Sequence, residues 1–215
     1  MANVLIGATG SVASVKVPAL HMALVADGHS VKIVATDAAL YFFDPTSLDV
    51  SRDADEWPGD RYRRDDPVLH IELRKWADLF LLAPLDANTL AKLAVGLCDN
   101  CLTCVWRAWD MAKPVILAPA MNAFMWQHSF TKRHLRAIAA DFGASHVPGH
   151  LDDTAMLAQI NDRAKNFRIV PPVVKALACG DTGIGGLAEV ADLAMAVREV
   201  LGKKQPECLG GTTLP

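Results

Sequence analysis

Asn3-Val-Leu-Ile-Gly-Ala-Thr-Gly10-Ser-Val-Ala13 is the stretch on which the fold turns. Its apolar part, Asn3 to Ala8, reads as a short buried strand that ends in a glycine-containing corner. A helical pattern follows from Ser11 to about Asp27, and Ser30 to Thr36 is a second strand signal rich in Val and Ile. Strand, helix, strand in that order predicts a parallel sheet with right-handed crossovers. The alternation continues. Asp78 to Ala83 and Pro114 to Ala118 read as buried strands. His70 to Ala77, Ala87 to Val95, Leu102 to Trp109, Thr131 to Phe142 and Ala188 to Leu201 read as helices.

At 215 residues the chain is sized for one domain, expected over residues 1–201, with a disordered tail over 202–215. A hydrophobic fraction of 52% and a charged fraction of 21% are those of a globular protein. A net charge of −3 argues against a broad nucleic-acid footprint. No apolar run approaches the roughly 18 residues of a spanning helix, so no membrane partner is expected. The N-terminus shows no basic region of the secretory type. Four of the five cysteines lie in apolar or helical surroundings and are read as reduced, which points to the cytoplasm.

Between these elements lie three less regular stretches. Asp44 to Pro67 is polar and acidic and reads as a long surface connection. Ala144 to about Arg168 has only a weakly helical centre near Thr154 to Ala164. Cys179 to Gly186 is glycine-rich and reads as loop.

Four corners carry residues capable of chemistry. Gly7 to Ala13 joins a strand to a helix, where free N–H groups and the Ser11 hydroxyl can cradle a phosphate, or simply make a tight turn. The spacing is not the dinucleotide Gly-x-Gly-x-x-Gly, and no acid is placed to hold a ribose. This favours a mononucleotide phosphate over NAD and counts against a nicotinamide-dependent oxidoreductase. Ala83-Pro-Leu-Asp-Ala-Asn-Thr89 is a second strand-to-helix corner. Asp86, Asn88 and Thr89 are N-cap types that can equally grip a polar ring edge. Pro119-Ala-Met-Asn-Ala-Phe-Met-Trp126 follows a strand, where an open α/β sheet places its ligand. Asn122 can donate and accept hydrogen bonds, and Met121, Met125 and Trp126 can form an apolar wall. The same residues can serve a core-packed helix start. His70, at another helix start, can meet a carboxylate or shuttle a proton, or be an ordinary helix residue. Cys98, Cys101 and Cys104 repeat at threes in apolar surroundings and read as core packing, with no metal site. Cys179 sits instead in a glycine-rich loop from which a thiol can approach a bound substrate.

Gly-Ala-Thr-Gly-Ser-Val-Ala (7–13), Asp-Pro-Val-Leu-His-Ile-Glu-Leu (66–73), Ala-Pro-Leu-Asp-Ala-Asn-Thr-Leu (83–90), Pro-Ala-Met-Asn (119–122) and Ala-Cys-Gly-Asp (178–181) occur in this order. Together they resemble the flavin-dependent cysteine decarboxylase family, over most of the chain from Ala2 to about Leu201. The resemblance implies a flavodoxin-like (Rossmann-like) three-layer α/β sandwich with a parallel sheet, FMN as cofactor and a homotrimer. It implies FMN contacts at Ser11, Val12, Ala13, Thr36, Phe42, Asp86, Ala87, Asn88, Thr89 and Ala120. His70 becomes the active-site histidine, Asn122 the holder of the substrate carboxylate, and Ala178 and Leu187 flap contacts to substrate. Cys179 becomes the proton donor of the last step.

The implied reaction is decarboxylation of phosphopantothenoylcysteine to phosphopantetheine in coenzyme A biosynthesis. A cysteinyl carboxylate has no electron sink beside the bond that breaks. Oxidation at the C–S bond creates one as a thioaldehyde, and loss of carbon dioxide leaves an enethiol that must be reduced. Relatives that inhibit phosphatases offer a second reading, a non-catalytic FMN-binding regulator, although this chain lacks their long acidic extensions. Two departures stand out. Ala176 occupies a place where relatives often carry a basic residue, with Lys175 adjacent. The 144–168 segment reads as an insertion, expected to be a surface excursion that leaves the core intact.

Overall fold

The computed structural model describes residues 1–57, 59, 61, 63–176 and 182–202. Six strands form one parallel sheet: β1 Asn3–Ala8, β2 Ser30–Ala35, β3 Val50–Ser51, β4 Leu79–Leu85, β5 Val115–Pro119 and β6 Phe167–Ile169. Their order is β3-β2-β1-β4-β5-β6, every pair parallel. Without the two-residue β3 this is the flavodoxin-like order, and with it the six-strand dinucleotide-fold order. In either description the direction of crossover reverses between β1 and β4.

Side chains alternate across the sheet with period two and feed two separate cores. Leu5, Phe80, Leu82, Val115 and Leu117 point to one face. Val4, Ile6, Leu79, Leu81, Ile116 and Ala118 point to the other. The first face is covered by α3 Leu69–Trp76, α4 Ala87–Val95, α5 Cys101–Arg107, α7 Ser129–Asp141 and α8 Asp153–Arg163. The second is covered by α1 Val17–Ala26 and α9 Val190–Gly202. Two short helices, α2 Asp37–Leu40 and α6 Ala123–Gln127, follow β2 and β5. Every residue of β4 is buried, as a central strand with both faces covered must be.

Caps fix where the helices begin. Asp86 accepts from Thr89 N–H at 2.7 Å, and Gly96 closes α4 in the left-handed region. Asn100 and Thr103 form a reciprocal cap on α5, and Asp152 caps α8.

Three expectations are corrected. The 144–168 segment is not a surface excursion. Its helix α8 buries Met156, Leu157 and Ile160 in the first core, and β6 pairs with β5 as the sheet edge. The helical centre read near Thr154 to Ala164 is there as α8, but its low overall hydrophobicity hid the narrow apolar stripe that buries it. The acidic connection 44–67 is not featureless, for it contains β3 and a 3-10 turn at Asp53–Asp55. The glycine-rich stretch is a strand from Thr182 to Gly186, β8, antiparallel to β7 Val173–Ala176. Its glycines answer to close packing rather than to looseness. Gly185 has φ 148°, and a Cβ there would collide with the Met121 carbonyl oxygen.

Because Ile160 is fully buried, Ile160→Ala should cost about 2–5 kcal/mol in urea denaturation. A loss within about 0.5 kcal/mol would mean that α8 lies on the surface.

Candidate active site

The crossover reversal opens a mainly apolar cleft of ≈ 440 Å³ beyond the carboxyl ends of β1, β4 and β5. Three corners meet there: Gly10 to Ala13 after β1, Asp86 to Asn88 after β4, and Ala120 to Asn122 after β5. The β7–β8 hairpin closes one side with Lys175, Gly185, Gly186 and Leu187.

Backbone and side-chain bonds lock the corners to one another. Thr9 donates from Oγ1 to the Pro84 carbonyl at 2.9 Å and accepts from Asp86 N–H at 2.7 Å. The buried Ser14 hydroxyl donates back to the Thr9 carbonyl at 2.8 Å. Ser11 accepts from Ala13 N–H at 3.3 Å, starting the 3-10 turn Val12–Lys16 that leads into α1. Gly10 has no room for a side chain, since a Cβ would lie 2.7 Å from that of Ala38. Met121 N–H donates to the Gly185 carbonyl at 2.9 Å, which ties the hairpin to the β5 corner. Asn122 accepts from Phe124 N–H through Oδ1 at 2.8 Å, so the cap of α6 also orients its amide.

Of the residues singled out from sequence, Ser11, Val12, Ala13, Asp86, Ala87, Asn88, Ala120, Asn122 and Leu187 line this cleft. Thr36, Phe42, Thr89 and His70 do not. Thr89 is spent on the α4 cap, with its side chain buried. Thr36 is 8% exposed at the start of α2, and its buried Oγ1 has no hydrogen-bond partner among the described residues. Phe42 is half-buried in the turn after α2, edge-on to Tyr41. His70 stands in the first turn of α3, where Nδ1 meets Glu56 Oε1 at 2.5 Å. The Cys179 and Ala178 assignments fall outside the described residues.

The expected apolar wall is only partly present. Met121 and Met125 line the cleft, but Trp126 is fully buried in the first core. There its Nε1 donates to Asp153 at 2.7 Å and Lys132 lies 3.7 Å over its ring. The cysteine series is no single packing face, because Cys98 precedes α5 and is exposed while Cys101 is buried. The cleft residues missed by sequence reading are Lys16, Val15 and the glycines of β8. A lysine one turn beyond the Gly7–Ala13 corner was the available signal.

A flavoprotein family model matches residues 1–202. The chain belongs to that family. Over 202 residues it is 45% identical to the phosphopantothenoylcysteine decarboxylase of Mus musculus, covering 93% of this chain and 87% of that one. The Oryza sativa subsp. japonica protein of the same name is 44% identical over 208 residues, covering 95% and 82%. Among solved structures, a PPC decarboxylase mutant complexed with pantothenoylaminoethenethiol superposes with a TM-score of 0.76 at 40% identity, covering 94% of this chain and 99% of that one. The FMN binding protein AtHal3 gives 0.73 at 40%, covering 95% and 99%.

At one end of this flavoprotein's cleft stand two lysines with one carboxylate between them. Glu189 takes Lys16 Nζ on Oε2 at 2.9 Å and Lys175 on Oε1. Lys175 also donates to the Leu187 carbonyl at 3.3 Å. Burial and the neighbouring Lys175 lower the pKa of Lys16, whereas the bond to Glu189 raises that of Lys175. Lys175 first, then Lys16, pulls the Glu189 carboxyl down to about 2.

Since this value lies below that of an unfolded-chain carboxyl, the bridge is complete above the ordinary carboxylate range. It is lost only as pH falls through about 2. Carboxyl-detected NMR of Glu189 should therefore show no protonation midpoint near 4.5. A midpoint there would mean that the lysines are not held.

Proposed function

We propose that this protein binds FMN in the cleft and decarboxylates phosphopantothenoylcysteine to phosphopantetheine. The carrying observation is the convergence of three strand-to-helix corners on one apolar cleft at the crossover reversal. A cleft of ≈ 440 Å³ suits a planar aromatic ring system with polar edges. The unpartnered buried Thr36 hydroxyl is a feature that a bound polar group would explain. Ser11, Val12, Ala13, Asp86, Ala87, Asn88, Thr89 and Ala120 would hold the cofactor, with Thr36 and Phe42 at its periphery.

Bound FMN would accept a hydride from the cysteinyl carbon that bears sulfur, supplying the electron sink the carboxylate needs to depart. The rest falls to the chain. Asn122, its amide oriented by the α6 cap, donates from nitrogen to the substrate carboxylate. Lys175 and Lys16, carrying two positive charges against one from Glu189, face the substrate's phosphate end. This gives the pocket a cation despite Ala176. His70 moves a proton at Nε2, and Cys179 returns the proton that completes reduction of the enethiol.

His70 does not line the cleft of its own chain, which favours a homotrimer in which a neighbouring copy brings the imidazole to the flavin. Val12, Val15 and Met125 line the cleft yet stay 48%, 56% and 52% exposed, as apolar residues at a subunit boundary would. No helix among the described residues is long and apolar enough to cross a membrane, and the proposed place of action is the cytoplasm.

The purified protein should carry flavin absorbance and release carbon dioxide from phosphopantothenoylcysteine. A colourless protein that cannot take up FMN would overturn the reading. Flavin binding without carbon dioxide release would favour the regulatory alternative. Cys179→Ser should keep flavin and carbon dioxide release but accumulate the enethiol, detectable by mass spectrometry. Normal product at the normal rate would remove Cys179 from the mechanism.

A further inference from the structure

The acidic connection before α3 ends in a contact that its sequence did not announce. Glu56, 14 residues before His70, places Oε1 at 2.5 Å from His70 Nδ1. Both side chains are largely buried, at 11% and 21% exposure. The second carboxylate oxygen of Glu56 is buried and makes no hydrogen bond among the described residues. His70 is its one nitrogen partner there, and the Cys101 thiol lies against the same carboxylate from α5.

The segment carrying Glu56 is anchored in the turn just before that contact. Asp55 receives the Arg52 guanidinium at 3.1 and 3.0 Å and the Arg52 N–H at 2.9 Å. Asp53 receives the Cys101 N–H at 2.7 Å, which fastens the 3-10 turn to the start of α5. Around the pair, Asp53 faces it from the turn and the thiols of Cys101 and Cys104 from α5. Burial, then Glu56, pushes the Cys101 thiol well up, so this neighbour stays protonated and adds no negative charge.

An ionised carboxylate only accepts hydrogen bonds. A histidine against it must therefore carry its proton on Nδ1, which leaves Nε2 as the nitrogen that gains and loses protons. Among the described residues nothing bonds to Nε2.

We propose that Glu56 is the positioning residue for His70, fixing its tautomer and ring orientation so that Nε2 presents a lone pair to the reaction. This rests on the role given to His70 above. An ion pair that merely pinned α3 to the connection would show the same contact, so the test must read more than stability. Nitrogen-15 NMR of the His70 ring in the holoprotein should show the proton on Nδ1 in the neutral form. Glu56→Gln, similar in shape but uncharged, should lose that exclusive tautomer. It should also lower kcat for carbon dioxide release at least about tenfold, with KM within about twofold, while retaining flavin absorbance. Glu56→Asp should restore part of the rate.

A neutral His70 carrying its proton on Nε2 in the unmutated protein would overturn the proposal, whatever any variant does. So would an unchanged kcat and tautomer in Glu56→Gln when His70→Asn is inactive. Normal turnover in His70→Asn would instead remove His70 from the mechanism, and the proposal with it.

Discussion

Parallel strands cannot be joined by a tight turn, and that constraint governs the molecule. Each strand must be followed by a crossover, so every strand-to-helix corner falls on one edge of the sheet. When crossovers on the two sides of β1 and β4 run to opposite faces, their corners separate and a crevice remains. Burying the sheet on both faces, with Leu82 packed on one side and Leu81 on the other, makes this geometry costly to deform. The cleft is therefore a consequence of sheet topology before it is a property of any side chain.

Topology alone leaves loops free to wander, and here a few polar groups remove the freedom. Thr9 joins the β1 corner to Pro84 and Asp86, and Ser14 holds Thr9 from the next turn. The Met121–Gly185 bond joins the hairpin to the β5 corner. Each of these bonds lies in buried or half-buried surroundings, where an unmade bond costs more than a made one gains. Loss of Thr9 Oγ1 would strand the Asp86 N–H as well as shift a corner. The cleft corners are thus held partly by residues that do not line the cleft, Thr9, Ser14 and Pro84.

The parallel sheet was legible because β1, β4 and β5 are largely apolar runs and β2 is rich in Val and Ile, all separated by helical periods. The cleft corners were legible because they sit at strand ends and carry glycines or cap residues. What escaped had weak local signals. Phe167–Ile169 is three residues long, and its pairing is settled by β5 rather than by its own sequence. The hairpin strand Thr182–Gly186 has the composition of a loop, yet its glycines are demanded by contact with Met121 and Ala123. Trp126 was assigned to the cleft from its place in the octet. The turn of α6 sends it instead to the core, where Lys132 of the next helix lies over its ring and Asp153 reaches it from α8.

The same distinction bears on how chemistry is divided in the fold. Among the described residues the cleft is walled by small and apolar side chains, with titratable groups at the Lys16–Glu189–Lys175 bridge and Asp86. Such a lining can bind, orient and exclude water, but the bridge is tied up in its own ion pairs and Asp86 in capping α4. The His70 imidazole, whose Nε2 bonds to nothing among the described residues, lies elsewhere, on α3, backed by a carboxylate from a connection that reads as surface in the sequence. If His70 is the proton-moving group proposed above, it and the ligand cleft have to be reunited. With the corners fixed by Thr9 and the Met121–Gly185 bond, large rearrangement within one chain would break the bonds that define the cleft. The proposed association of copies would achieve the reunion without that cost, and would also cover the exposed Val12, Val15 and Met125. A cleft held rigid within one subunit and a proposed site completed by another are compatible demands on one fold.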